Sequence, residues 1–421
     1  MADTKPNAII AQSGGPTAVI NSSACGVIQQ AINSGRIGKV LGASNGILGV
    51  LKEDLFDITA EKPETIEAMK QTPAAAIGSC RYKLKSLEES KIDYERILDV
   101  FKAHNIHYFF YAGGNDSMDT ADKVNKLAKD TGYELTCIGV PKTIDNDLAC
   151  TDHCPGYGSV AKYVATSAMS AGKDTEALYT TDTCTILEVM GRNAGWIAAA
   201  AGLAAREPQD APHLIYMPEA VFTFDKLVTD VKAVLKEYKR VFIVAGEGLK
   251  DENGEYVTAD SGTFGKDSFG HAQLGGVAEM LKAVIEKEVG IKARFNKLGT
   301  NQRCAMHFAS LTDVNEAYLC GQKAVEAALS GENGKMVTLI RADSPEYKCT
   351  TGLAELSDVA NGEKKVPAEY INAAGNGITK AMKDYVKPLV QGQAPITIAE
   401  DGLPVFMRFD RKPLAKKLAD Y

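Results

Sequence analysis

No stretch of this chain approaches the ~18 consecutive apolar residues of a membrane span. Its first apolar run, Ala8-Ile9-Ile10-Ala11, is far too short for a signal peptide. The expectation is a cytoplasmic protein that has no membrane partner. Zinc-type ligand pairs are missing as well. The nine cysteines are scattered and odd in number, as in a reducing compartment. Cys150-Thr151-Asp152-His153-Cys154 has no second pair at zinc-like spacing, so it reads as a loop. Positive charge is not in excess. The 47 Lys and Arg face 54 Asp and Glu, a formal net charge of −7, which argues against a nucleic-acid partner. Local basic patches can still hold small phosphates. No G-x-G-x-x-G follows the first strand-like run, which argues against a NAD-dependent dehydrogenase.

At 421 residues the chain exceeds the usual single core, so two domains are expected. Hydrophobic residues make up 45% and charged residues 24%, an ordinary globular balance. Glycine is frequent, at 38 residues, and often follows a short apolar run. Residues 7–12 lead into Ser13-Gly14-Gly15, 40–43 into Ser44-Asn45-Gly46, and 107–111 into Gly113-Gly114. Residues 135–140 end at Pro141. A second series places 183–189 before Gly191 and 241–244 before Gly246-Glu247-Gly248. Helical periodicity covers 18–31, 117–128 and 224–238, and 197–205 is an alanine-rich helix. Repeated strand, glycine turn and helix predict an α/β fold. Two three-layer domains with mostly parallel sheets would enclose an active cleft. Ligands then collect at the carboxyl ends of the strands, where the glycine motifs sit. Residues 251–267 read as a surface loop or short hairpin, and 336–340 and 405–409 as late strands, the last at a sheet edge.

Two neighbouring stretches carry the chemistry. Gly113-Gly114-Asn115-Asp116-Ser117 precedes Pro141-Lys142-Thr143-Ile144-Asp145-Asn146-Asp147 by about 25 residues. Phosphoryl transfer needs hard oxygen ligands for Mg²⁺. It needs backbone N–H groups and a cation for the phosphates. A carboxylate must accept the proton of the attacking hydroxyl. Asn115, Asp116, Asp145 and Asp147 offer the oxygens, and Lys142 the cation. Asp145 and Asp147 flank Asn146, and in an extended segment such positions face one way. Like charges that close favour a cation between them. Plain helix capping would also suit Asn115 or Asp116. It does not explain a lysine and two more acids at the next strand end.

Other strand ends add to the set. Ser13-Gly14-Gly15 can present N–H groups to an anion, a weak signal by itself. Arg192 follows Met190-Gly191, Glu247 lies between two glycines, and Arg294 and Arg303 flank another turn. An arginine fork suits a terminal phosphate monoester. Any one of these arginines alone would more often be a solvated group. Arg81 can reach the phosphoryl donor, while Met118 and Trp196 belong to the core or its margin.

With these motifs the chain resembles the phosphofructokinase family, and within it the pyrophosphate-dependent type. Six separated motifs follow in family order across most of residues 7–330. The resemblance implies Asp145 as the base at the sugar 1-hydroxyl. Asp147 would hold the metal-bound donor or position the base, and Thr143 would donate to the transferring phosphoryl. Met190, Gly191 and Arg192 would cradle fructose 6-phosphate, Glu247 would meet its ring, and Arg294 and Arg303 would clamp its 6-phosphate. Gly14, Gly15, Arg81, Gly114, Asp116 and Ser117 would line the donor side. Mg²⁺ would be held by Asn115, Asp116, Asp145 and Asp147. Pyrophosphate, phosphate and fructose 1,6-bisphosphate would be the other reactants.

ATP-dependent relatives typically carry glycine where this chain has Asp116 and Lys142. Asp116 would crowd and repel a nucleotide α-phosphate, and Lys142 would pair with pyrophosphate. Two departures stand out: Asn115 replaces the usual aspartate, and Thr183 replaces an arginine that bacterial ATP-dependent enzymes offer to a neighbouring subunit. A homo-oligomer, dimer or tetramer, is implied. The expected domains are residues 1–159 with 301–360 for the donor, and 160–300 with 361–421 for the sugar phosphate. The alternatives are an ATP-dependent phosphofructokinase, a kinase acting on NAD, and a non-catalytic regulatory subunit. Donor assays, product analysis and assay of the isolated chain separate them. Sedoheptulose 7-phosphate shares the hydroxyketone end and is a conceivable second acceptor.

Overall fold

Strands buried on both faces demand continuous apolar runs, and the chain supplies them repeatedly. The computed structural model describes residues 5–258, 264–266, 272–273, 276–360 and 362–421. In chain order the early strands are β1 (Asn7–Ser13), β2 (Val40–Ala43), β3 (Leu55–Asp57), β4 (Ser79–Cys80), β5 (Ile106–Gly113) and β6 (Thr136–Pro141). Then come β7 (Cys184–Val189), β8 (Leu214–Tyr216), β9 (Val241–Gly246), β10 (Phe264–Lys266), β11 (Ala272–Gln273) and β12 (Ala293–Lys297). The last two are β13 (Lys335–Arg341) and β14 (Cys349–Glu355).

Two α/β domains with mostly parallel sheets result. The larger sheet runs β14-β13-β6-β5-β1-β2-β3, with β4 beside β1. Its centre is parallel, and only the edge strands β3 and β14 are antiparallel. Ile9, Ile10, Phe109 and Phe110 are fully buried at its middle, with helices covering both faces. The smaller sheet, β12-β7-β9-β8, is wholly parallel. Its apolar side chains pack into two further clusters, one on each side.

The chain crosses back to the larger sheet after β12. Helix Leu311–Leu329 lies against helix Ile20–Asn33. A β-carbon on Gly26 would come 2.2 Å from the Tyr318 carbonyl oxygen, and one on Gly321 would come 2.0 Å from that of Ser23. Only glycine permits this approach, which seats the helix after the first glycine turn.

Two expectations of the fold need correction. Residues 405–409 form no strand. They run as irregular backbone, with Phe409 against Phe56 and Met407 N–H donating to Thr72 Oγ1 at 3.0 Å. The late edge strand is instead β14, whose alternating exposure gave a weaker apolar signal. The expected second unit included 361–421, yet the end of the chain lies on the larger sheet, where Leu414 N–H donates to the Leu55 carbonyl at 2.8 Å. Within 251–267, Asp251 organises a polar turn and β10 pairs with β11 as a small hairpin. Residues 259–263 and 267 lie outside the described residues. Among the described residues no helix is long and apolar enough to cross a membrane.

Candidate active site

The carboxyl ends of β1, β5, β6, β7 and β9 open on one cavity of about 300 Å³. That falls at the lower end of the ordinary range for small-molecule sites. Most of the residues singled out by sequence line it.

Just past β1, Gly14 is left-handed, with φ of 77°. Ser79 Oγ donates to its carbonyl at 2.6 Å. Lys142 is buried and its Nζ donates to the Gly15 carbonyl at 2.7 Å. Burial, with Arg303 and Arg81 nearby, lowers the Lys142 pKa to about 8, although Asp145 and Asp147 pull the other way. The turn after β5 is equally constrained, since a β-carbon on Gly113 would lie 2.0 Å from Ser117 Oγ. Helix Asn115–Thr131 starts there, so Gly114, Asn115, Asp116 and Ser117 face the cavity from its first turn. Asp116 Oδ1 pairs with Lys83 Nζ at 3.1 Å. Lys83 carries no motif and was missed in the sequence; Arg81, two residues before it, lines the cavity.

The acid turn differs from its sequence reading. Asn146 has φ of 54°, so residues 145–147 turn rather than extend. Asp145 and Asp147 nevertheless line the same cavity. Asn146 is fully buried behind them. Thr143 Oγ1 accepts from the Asp145 N–H at 3.0 Å and hydrogen-bonds the Asp147 side chain. Burial raises the Asp145 pKa and Glu247 adds to it, against the pull of Arg303, Lys142 and Arg192. Burial and the charge of Asp145 raise Asp147. Glu363, missed in the sequence because no motif surrounds it, lines the cavity and raises Asp147 further.

From the smaller sheet, β7 delivers Met190 and Arg192, and β9 delivers Glu247. Met190 N–H donates to Gln302 Oε1 at 3.0 Å. Gly191 has φ of 125° and its backbone hydrogen-bonds Glu247. Burial raises the Glu247 pKa, and Arg192 opposes it. Asn193 and Ala194 also line the cavity. Arg303 arrives from the short helix Gly299–Arg303, with its guanidinium over Gly15. Arg294 is not brought in. It lies on edge strand β12, largely exposed, and its Nε pairs with Asp182 at 2.5 Å.

The donor set fits a hard divalent cation. Asn115 Oδ1 is buried and has no hydrogen-bond partner among the described residues. With the carboxylates of Asp116, Asp145 and Asp147 it supplies oxygen only, the Mg²⁺ preference. A second potential metal-binding group lies elsewhere, where ligand atoms of His153, Glu316 and Cys349 fall within 4.8 Å of one another. Both ring nitrogens of His153 are already engaged there, by Asp152 at 2.8 Å and Glu316 at 2.7 Å.

Residues 7–328 match the family model described as Phosphofructokinase. The chain belongs to the phosphofructokinase family. Over 416 residues it is 48% identical to the pyrophosphate--fructose 6-phosphate 1-phosphotransferase of Xanthomonas campestris pv. campestris, covering 99% of each chain. A crystal structure of pyrophosphate-dependent phosphofructokinase from Nitrosospira multiformis superposes with a TM-score of 0.90. The two are 42% identical, and the match covers 99% of this chain and 100% of that one. The corresponding protein of Marinobacter aquaeolei gives a TM-score of 0.89 at 45% identity, covering 99% of both. Within the phosphofructokinase span lie all the cavity residues named above except Glu363.

Proposed function

We propose that this chain reversibly transfers a phosphoryl group from inorganic pyrophosphate to O1 of fructose 6-phosphate. The products are fructose 1,6-bisphosphate and phosphate, a reaction of glycolysis. One observation carries the donor choice: the Lys142 ammonium is fixed at the Gly15 carbonyl, in a cavity that Asp116 also lines. A bare diphosphate gains that cation, while a nucleotide would have to bring its α-phosphate against a carboxylate.

Arg192 and Arg303 hold the sugar phosphate, and Glu247 accepts from its hydroxyls. Asp145 takes the proton of O1 as O1 attacks the terminal phosphorus. The bridging P–O bond breaks, and the leaving phosphate departs with its charge matched by Lys142. Arg192, Thr143 and backbone N–H groups meet the charge that develops on the transferred group. Arg303, Lys142 and Arg192 favour the ionised form of Asp145, which must be free to accept that proton. Mg²⁺, held by Asn115, Asp116, Asp145 and Asp147, would neutralise donor phosphate charge when bound.

Arg294, exposed on an edge strand, is available to a neighbouring copy, and a homodimer or homotetramer would place it at that copy's sugar phosphate. The cysteines are all free, which suits the cytoplasm. Running the reaction backwards tests the proposal. Fructose 1,6-bisphosphate and phosphate should yield pyrophosphate with Mg²⁺ present, and failure to form it would exclude the reaction.

A further inference from the structure

The acid turn is braced from behind by residues beyond the matched span 7–328. Tyr385 Oη accepts from Asn146 Nδ2 at 3.0 Å and donates to the Asp152 carbonyl at 2.8 Å. The Asn146 amide oxygen accepts from the Cys154 N–H, also at 3.0 Å. Lys364 N–H donates to the Asp147 carbonyl at 2.8 Å. Its Nζ donates to the carbonyls of Thr151 at 3.2 Å and Asp152 at 2.6 Å. Both residues also touch the element that follows the Arg192 loop. Trp196 Nε1 donates to the Lys364 carbonyl at 2.9 Å, and the Trp196 ring lies 5.3 Å from that of Tyr385.

We infer that Tyr385 and Lys364 are positioning residues for phosphoryl transfer, acting through Asn146 and Asp147 to hold the acid turn at a fixed separation from the Arg192 loop. The physical need is clear. A left-handed Asn is uphill of the helical and extended regions and persists where its surroundings over-determine it. Asn146 is fully buried, so its amide must be satisfied within the protein. Tyr385 supplies the acceptor. Without that hydroxyl, a buried donor is stranded and the turn is free to relax. A displacement of about 1 Å at a reacting group can cost on the order of 10²-fold in rate. The brace also explains why the chain past β14 returns to the cleft, since Lys364 contacts one wall and Trp196 the other.

The inference rests on the proposed reaction, so its test carries one readout that is independent of turnover. Tyr385→Phe removes one oxygen and keeps the ring packed on Trp196. It should lower kcat about tenfold or more, with KM for both substrates within about twofold of the parent. Asn146→Gly keeps the left-handed turn accessible and deletes the amide, and adding Tyr385→Phe to it should cost far less than in the parent, since only the bond to the Asp152 carbonyl remains to be lost. Lys364→Met, which keeps the backbone donor and removes the ammonium, should also lower kcat with KM steady. Independently, amide hydrogen exchange at Cys154 should quicken in Tyr385→Phe. Parental kcat in Tyr385→Phe, multiplying losses in the double variant, or unchanged Cys154 exchange would each overturn the brace. If the parent makes no fructose 1,6-bisphosphate from pyrophosphate, the reaction falls and the exchange comparison still decides the brace.

Discussion

The guanidinium of Arg303 lies directly over Gly15, so that a β-carbon on this glycine would stand 3.1 Å from Arg303 Nε. One residue lies two positions past the end of β1, and the other comes from the short helix after β12. Their contact joins the two halves of the cavity. Gly15→Ala must therefore push the guanidinium aside. The expected result is a loss of about 10–100-fold in kcat/KM for fructose 6-phosphate with little change in Tm, measured by steady-state kinetics and thermal unfolding.

Donor selectivity follows from charge placement. Lys142→Gly should reduce kcat/KM for pyrophosphate by on the order of 10²-fold, while the affinity for fructose 6-phosphate stays near the parental value. Initial rates and a sugar-phosphate titration measure both quantities. An equal loss in the two would remove Lys142 from donor recognition.

Asp145 is the proposed base. Asp145→Ser should lower turnover by roughly 10²–10⁴-fold and leave fructose 6-phosphate binding largely intact. Unchanged turnover in this variant would eliminate the assignment.

The lowered Lys142 pKa sets a pH dependence. Its ammonium is present below about 8 and lost above. In the free enzyme, kcat/KM for pyrophosphate should fall as pH rises through that value, and Lys142→Arg should flatten the decline. Stability has the opposite sign. A lysine whose folded pKa is depressed from 10.5 to about 8 contributes stability above pH 10.5 that is lost as pH falls through about 8. Denaturant titrations of the unliganded parent and of Lys142→Met across that interval check the sign.

Much of this arrangement was legible because each functional group sits beside a backbone constraint with a sequence signature. Glycines mark the ends of β1, β5, β7 and β9, and parallel strands bring those ends together. Lys142, Asp145 and Asp147 follow β6 without a gap, so they had to reach the same cleft. The local geometry of the acids was harder to read. Alternation suggested an extended segment, but the tertiary bonds of Asn146 to Tyr385 and Cys154 hold a left-handed turn. Asn is the residue type that adopts it most readily after glycine, which was the available hint. The family resemblance implied Arg294 as part of the phosphate clamp. Edge position on β12 instead gives it Asp182 as partner. Lys83 and Glu363 had no local signal, since only the tertiary fold brings them to Asp116 and Asp147.

Arg294 offers a check on assembly. If it serves a neighbouring copy, Arg294→Ala should raise KM for fructose 6-phosphate. Mixed oligomers of Arg294→Ala and Asp145→Ser should contain sites that combine a parental KM with full turnover, a combination neither variant has alone. Absence of recovery in verified mixed oligomers would confine each site to one chain.

The most direct test compares donors. Initial rates of fructose 1,6-bisphosphate formation are measured with pyrophosphate and with ATP, at matched magnesium and saturating fructose 6-phosphate. Rapid turnover with pyrophosphate and little with ATP is the predicted result. Efficient use of ATP with pyrophosphate inert would contradict the roles given to Lys142 and Asp116.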